Sequence, residues 1–396
     1  MSLLDPAIWW HVYPLGFVGA SIRPTADHLH DPAQPAYPAQ IDAPTPGSLT
    51  AWLDYAVGLG ANGLQLGPVF ASTSHGYDTV DHLRIDPRLG GEEMFDALVA
   101  ACQQRGVLLM LDGVFNHVGA QHPLVRRALA EGPDGELAGL FRLDWTPEGG
   151  RPAGWEGFTD LVEFNHDDPR AVDLVVEVME HWLARGISGW RLDVAYAVPL
   201  AFWREVTDRV RAAYPSAVFV GEVIHGGYHA FVSEGGLDSV TEYELWKAIW
   251  SSLVDHNPWE IGHTLERHDA LLQSFIPMTF VGNHDVTRIA TKVGDAGAVV
   301  ALVGSHGWSL RATGGRRVPR SRHVRSPLGS RHRGFVADTP RRPCPRRWPA
   351  APIGVDQRRH PVTGSPPRPV VRGRRLAGVH RSGRCGNRGV GRRGRP

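Results

Sequence analysis

The sequence predicts an α/β protein built as a (β/α)8 TIM barrel, incomplete, with about seven of the eight strands present. Three observations predict it. Apolar runs of strand length alternate with helical patterns along residues 1–310, as repeated βα units around a parallel sheet do. Four of those runs end on clusters bearing a carboxylate, and a barrel keeps its chemistry at the C-terminal ends of its strands. A doubly wound open sheet is the alternative. It would normally carry a glycine-rich phosphate loop after an early strand, and none is present.

The elements follow in order. Ile8 to Phe17 (IWWHVYPLGF) is the first strand candidate, and the proline-rich residues 18–47 after it read as an elaborated loop. Ser48 opens a helical stretch that stops at Gly60, a serine cap and a glycine stop. Asn62 to Phe70 is a second strand, and Glu92 to Arg105 has apolar residues at helical spacing before Gly106. Residues 107–115 (VLLMLDGVF) are nearly all apolar, as a parallel strand covered on both faces requires. Residues 118–165, rich in glycine, proline and acids, read as an inserted subdomain. Helices are expected at 169–185 and 199–213, strands at 189–194, 217–223 and 277–282, and a last helix over DAGAVVALVG.

Charge divides the chain. The formal net charge of the whole is +1, yet residues 311–396 hold 24 arginines, no lysine and two acids, Asp338 and Asp356. That segment carries +22 and the first 310 residues −21. No apolar run approaches the ~20 residues of a membrane helix. The start shows no basic region followed by an apolar one, so no secretory leader is expected. Cys102, Cys344 and Cys385 have no paired metal spacing, and a reducing cytoplasm is the expected compartment. The segment 311–396 has no strand-length apolar run. It reads either as a disordered basic tail able to touch phosphates or as a stretch translated out of frame from about residues 304–310. The second reading rests on arginine, proline, glycine and alanine all having GC-rich codons. With Phe335 and Trp348 as its only aromatics and no binding module, no nucleic-acid partner is expected.

The strand-end clusters are DGVFNH at 112–117, GWRLD at 189–193, VGE at 220–222 and VGNHD at 281–285. Each carboxylate alone has a plain reading as a helix cap or ion-pair member. Together, Asp112, Asp193, Glu222 and Asp285 fall on one rim. Acids accompanied by arginine and histidine, without a cysteine or lysine nucleophile, favour acetal cleavage. There one carboxyl protonates the leaving oxygen and a second attacks the anomeric carbon or activates water. Arg191 lies two residues before Asp193, on the same face of its strand, where it can keep that acid ionised. A metal hydrolase is the second chemistry, with His117 and His284 as ligands, although no HExxH occurs.

The set DGVFNH, GWRLDV, VGEV and VGNHD, together with HGYD at 75–78, DHLRIDPRLGG and WWHVYPLGF, resembles the α-amylase family of glycoside hydrolases, over roughly residues 5–303. The resemblance implies a (β/α)8 barrel and retaining chemistry on α-glucan oligosaccharides. It implies Asp193 as nucleophile, Glu222 as general acid/base and Asp285 as the third carboxylate, holding sugar hydroxyls. Arg191 would orient Asp193, His117 and His284 would hydrogen-bond the sugar, Tyr77 would lie beneath it, and Asp112 would support the site. LVEFNHDDP resembles the short motif before the third helix of the cyclomaltodextrinase, neopullulanase and oligo-glucosidase branches, and LDSVTEYEL resembles their sixth strand, which makes 277–282 the seventh. Their N-terminal sugar-binding domain is expected to be missing.

Asn116 matches a calcium ligand of the metal-dependent amylases. Ala197 stands where those have a histidine and Glu163 where they have an aspartate, so no cofactor is expected. Trp145, Trp155 and Phe158 are read as sugar-stacking or packing aromatics, and His166, His225 and His229 as surface residues. With seven strands the barrel cannot close, and the chain as written is expected to be inactive.

Overall fold

A computed structural model describes residues 7–22, 46–147 and 149–312. The stretch 23–45 and everything from residue 313 onward lie outside the described residues, and with them most of the expected loop and of the basic or out-of-frame tail.

Six parallel strands form the central sheet. They are β1 (Trp9–Val12), β2 (Gly63–Leu66), β3 (Leu108–Gly113), β4 (Gly189–Leu192), β5 (Val218–Gly221) and β6 (Ser239–Val240), side by side in chain order. Sequential order with a helix between neighbours is the βα progression of a barrel, here curled part of the way round. β2, β4 and β5 are buried at every position; β5 is accordingly a wholly apolar run, while β2 and β4 each bury one polar side chain, Gln65 and Arg191.

The connecting helices bury one face each. In Gly91–Gln104, Phe95, Leu98, Val99 and Cys102 are buried, the i, i+3, i+4, i+7 stripe. Helix Pro169–Ala184 starts at a cap in which the Asp168 carboxylate accepts from the Arg170 N–H, with Pro169 in the first turn. It buries Val172, Val175, Met179 and Trp182 toward the sheet. Leu200–Ala213 follows β4 in the same manner. Trp182, Trp190, Trp203, Phe115 and Phe219 are the large side chains filling the core.

The structure differs from expectation at three places. The first strand stops at Val12, because Pro14 opens a helical turn, Pro14–Phe17. The second stops at Leu66, and Phe70–Ser72 pairs antiparallel with Thr79–Ile85 instead. Residues 277–282 do not make a seventh strand. Met278 alone bridges, to Thr241 just after β6, its N–H donating to Val240 O at 2.9 Å and its carbonyl accepting from Glu242 N at 3.0 Å. Between β3 and β4, His117–Gly119 pairs with Leu161–Glu163, helix Pro123–Glu131 follows, and Leu143–Thr146 pairs with Gly149–Pro152.

Candidate active site

Register builds the centre of the site. Arg191 on β4 lies opposite Asp112 on β3 and Val220 on β5, and Leu192 opposite Gly113 and Gly221. One residue beyond, Asp193 and Glu222 leave their strands side by side. Gly189 keeps β4 and β5 close: a Cβ there would meet Val218 O at 2.2 Å.

Arg191 is the hub. Its Nη1 donates to Asp112 Oδ1 at 2.7 Å and to Asp193 Oδ1 at 2.7 Å, and its Nη2 lies 2.6 Å from Glu222 Oε1. All four side chains are buried. Glu222 Oε2 accepts from the Val194 N–H at 3.0 Å, and Oε1 from the Tyr243 hydroxyl at 2.9 Å. Val194 holds φ +39, left-handed backbone that a β-branched residue rarely adopts. Such a conformation costs on the order of 1–3 kcal/mol, and here it presents an N–H to a carboxylate.

One guanidinium cannot neutralise three buried carboxylates, so the cluster resists losing its last proton and titrates as a unit. Burial raises Asp112 to about 6, against the opposing pull of Arg191. Burial likewise raises Asp193, and the Asp112 and Glu222 charges add to it. For Glu222 burial is outweighed by Arg191, the Val194 N–H and the Tyr243 hydroxyl, which together hold it below the ordinary glutamate range.

Around this hub stand the other expected residues. The Tyr77 hydroxyl donates to Asp112 Oδ2 at 3.2 Å and also meets His284 Nε2. The two rings stack with centroids 5.5 Å apart and planes 10° from parallel. His284 lies 3.2 Å from Asp285, whose own side chain is about half exposed. Burial lowers His284 to about 4, so it is neutral near pH 7. Burial also raises Asp285. His117 is buried, lowered to about 4 by that burial, and stacks on Trp155 with centroids 6.1 Å apart. Trp145 and Phe158 are not among the groups around Arg191; Phe158 is exposed. His225 and His229 are on the surface. His166 is not: it is buried, and its Nε2 meets the Phe115 carbonyl at 3.1 Å, fixing the loop after β3.

Sequence reasoning assigned no role to five groups that the structure brings in. Tyr13 stacks on His284 at 5.7 Å, and His11 meets the same ring edge-on at 5.2 Å. Tyr243 and the Val194 N–H hold Glu222, and Asn283 donates to the Tyr243 hydroxyl at 2.6 Å. All five lie inside recognisable motifs. Nothing in the sequence marks the backbone turn at Val194.

Asn116 is the calcium candidate. Its Nδ2 meets His117 Nδ1 at 3.1 Å, and its Oδ1 is buried without a partner. Among the described residues no three His, Cys, Asp or Glu side chains gather as a ligand set, and the Ala197 side chain, a methyl group, cannot ligate. Of the side chains here, the Asn116 amide oxygen is the one free to face a cation, short of the six to eight oxygens calcium takes unless backbone carbonyls and water complete it.

Residues 47–159 and 155–306 match the family described as alpha amylase, catalytic domain. The chain is 28% identical over 305 residues to the maltogenic alpha-amylase of Bacillus acidopullulyticus, covering 73% of this chain and 51% of that protein. It is 32% identical over 215 residues to the intracellular maltogenic amylase of Bacillus subtilis, covering 52% of this chain and 37% of that one. The chain therefore spans about half the length, or less, of these curated relatives. Among solved structures it resembles the cyclic alpha-maltosyl-(1→6)-maltose hydrolase of Arthrobacter globiformis. The TM-score is 0.64 at 26% identity, over 76% of this chain and 71% of that one.

Proposed function

The chain belongs to the alpha-amylase catalytic-domain family, and from that premise we propose that its site is that of a retaining glycoside hydrolase or transglycosylase of α-glucan oligosaccharides. The observation that carries the proposal is the Arg191 guanidinium holding Asp193 and Glu222 at once. The shared cation keeps the two carboxyls close together. Retention needs a separation of ~5–5.5 Å, whereas inversion needs room for a water between them.

In this reading Glu222 protonates the glycosidic oxygen as Asp193 attacks the anomeric carbon. The bond to the leaving sugar breaks and a glycosyl ester forms on Asp193. Glu222, now a carboxylate, takes a proton from the incoming water or sugar hydroxyl, which releases the ester. Asp285 holds sugar hydroxyls, His117 and His284 hydrogen-bond the same sugar, and Tyr77 lies beneath it. Asp112 keeps Arg191 and Tyr77 in place. Substrate entering between the carboxyls parts Glu222 from Arg191 Nη2. Losing that cation raises its proton affinity, so Glu222 carries the proton that the leaving oxygen needs, while Arg191 stays on Asp193 and favours its carboxylate form. Asp193 is then ionised when attack begins.

The cytoplasm is the proposed place of work, in keeping with the intracellular Bacillus subtilis relative; among the described residues no helix is long and apolar enough to cross a membrane. Turnover by the 396-residue chain is proposed to be poor. The sheet has six strands among the described residues, and Asp285 stands half exposed after a segment that makes one bridge.

The test is turnover of maltooligosaccharides and cyclodextrins by this chain and by a version restored in frame after about codon 305. Glu222→Gln should slow natural substrates by at least a hundredfold more than substrates with a good leaving group, which need little protonation. Equal slowing of both removes Glu222 from the acid/base role. Sugar binding without turnover in both proteins points instead to a carbohydrate-binding protein with no chemistry.

A further inference from the structure

Glu222 is held by three donors, and two of them come from its own neighbourhood on β4: the Arg191 guanidinium and the Val194 N–H. The third comes from the far side. The Tyr243 hydroxyl, at the start of helix Tyr243–Asp255, donates to Glu222 Oε1 at 2.9 Å, and Asn283 Nδ2 donates to that hydroxyl oxygen at 2.6 Å. The chain Asn283–Tyr243–Glu222 thus joins the segment after Met278 to the acid/base through one phenol.

Its direction is fixed by chemistry. An amide nitrogen can only donate, so the Tyr243 oxygen accepts from Asn283 and its hydrogen is free to point at the carboxylate. Burial and the adjacent Glu222 charge raise the Tyr243 hydroxyl, so it keeps its proton. The ring is fixed edge-on to Phe280 at 4.8 Å and to Trp246 at 6.0 Å.

We propose that Tyr243, polarised by Asn283, is a positioning residue that sets the rotamer and the proton affinity of Glu222. The inference rests on the acid/base role given to Glu222 above, and it deepens that reading. A donor aimed at a carboxylate stabilises the anion. Tyr243 therefore keeps Glu222 from holding its proton too tightly for transfer to a leaving oxygen, and it orients the carboxylate that takes up a proton in the second half of the reaction. The other groups facing Glu222 are Arg191 and Asp193 from β4 and its end, Asp112 from β3, Tyr196 after β4, and His284 and Asp285 from the segment after Met278. None of these accounts for the phenol–carboxylate bond.

The experiment reads the carboxyl itself. The full 396-residue chain, labelled with 13C at the glutamate side-chain carboxyl, is titrated by NMR, and the Glu222 signal is assigned by its loss in Glu222→Gln. Tyr243→Phe removes one oxygen and leaves the ring packing. It should move the Glu222 midpoint upward by about one pH unit, the size of one hydrogen bond to a charged group. Asn283→Ala should move it the same way by a smaller amount. Tyr196→Phe, whose hydroxyl makes no bond to Glu222, should leave it in place. An unmoved midpoint in Tyr243→Phe overturns the proposal whether or not the chain turns over sugar, and so does a shift of equal size in Tyr196→Phe. A shift without turnover in any frame-restored protein would leave Tyr243 acting on Glu222 and defeat the hydrolase reading alone. Where turnover is present, the basic limb of kcat/KM should move to higher pH by the same amount in Tyr243→Phe.

Discussion

At the scale of the residue, the site is an electrostatic imbalance held in place by packing. Asp112, Asp193 and Glu222 share the single buried cation Arg191. Replacing it with an apolar isostere leaves three buried acids and no counter-charge. Arg191→Met is expected to destabilise the fold by roughly 3–5 kcal/mol at pH 7, the range for breaking a buried pair from one side. The sign of its pH dependence follows. Without the pull of Arg191, Asp112 and Asp193 rise further, so the folded variant takes up protons that the folded parent does not, and the deficit should shrink as pH falls from 7. Urea unfolding of both proteins at pH 7 and pH 5 checks this, and a deficit that stays constant or widens toward pH 5 contradicts it.

At the scale of the element, the geometry of the site is set by how closely β4 and β5 approach. Gly189 is the contact point: its missing side chain makes room for Val218 O, which lies 2.2 Å from where a Cβ would stand. Backbone cannot step aside as a side chain can. Gly189→Ala should therefore cost about 1–3 kcal/mol or more and displace Arg191 from Val220, loosening its grip on Glu222. Gly58 is the control. It ends helix Pro46–Gly58, and a Cβ there meets nothing within 4 Å. Gly58→Ala should hold or raise stability by roughly 0.5–1 kcal/mol. Thermal unfolding of the two variants should move in opposite directions. Equal destabilisation would mean that the β4–β5 spacing is not the sensitive feature.

At the scale of the whole molecule, stability should fall as pH drops below neutrality. Burial lowers His11 and His122 to about 3, and His82, His117 and His284 to about 4. The unfolded chain protonates these rings near 6.5. The folded chain thus binds fewer protons below that pH, and stability present above 6.5 is lost progressively as pH falls. Asp112 and Asp193, raised by burial, act in the opposite sense, but five histidines outweigh two acids between pH 7 and 5. His122 isolates one contribution, since its Nδ1 accepts from the Leu124 N–H at 3.2 Å and caps helix Pro123–Glu131. His122→Asn keeps an acceptor that does not titrate. The fall in stability with pH should become less steep by up to about 1.4 kcal/mol per pH unit. Unchanged slopes in urea unfolding between pH 7 and 5 would remove His122 from this account.

The sequence by itself determined the barrel progression and the family of the chain, because both are written locally. Strands buried on two faces read as apolar runs, helices as one-sided stripes, and the carboxylates follow the runs they terminate. It also determined which residues meet at Arg191, since strand ends in parallel register converge on one rim. Tertiary structure alone decided the rest. Residues 277–282 have a strand's composition, yet Met278 makes a single bridge, because a ladder needs donors in register and not merely apolar side chains. His166 reads as a surface residue and is buried on a carbonyl of the loop after β3. The hold on Glu222 comes from a left-handed turn at Val194 and from a phenol 21 residues along the chain. Those contacts depend on where separate segments come to rest in space, which local pattern does not encode.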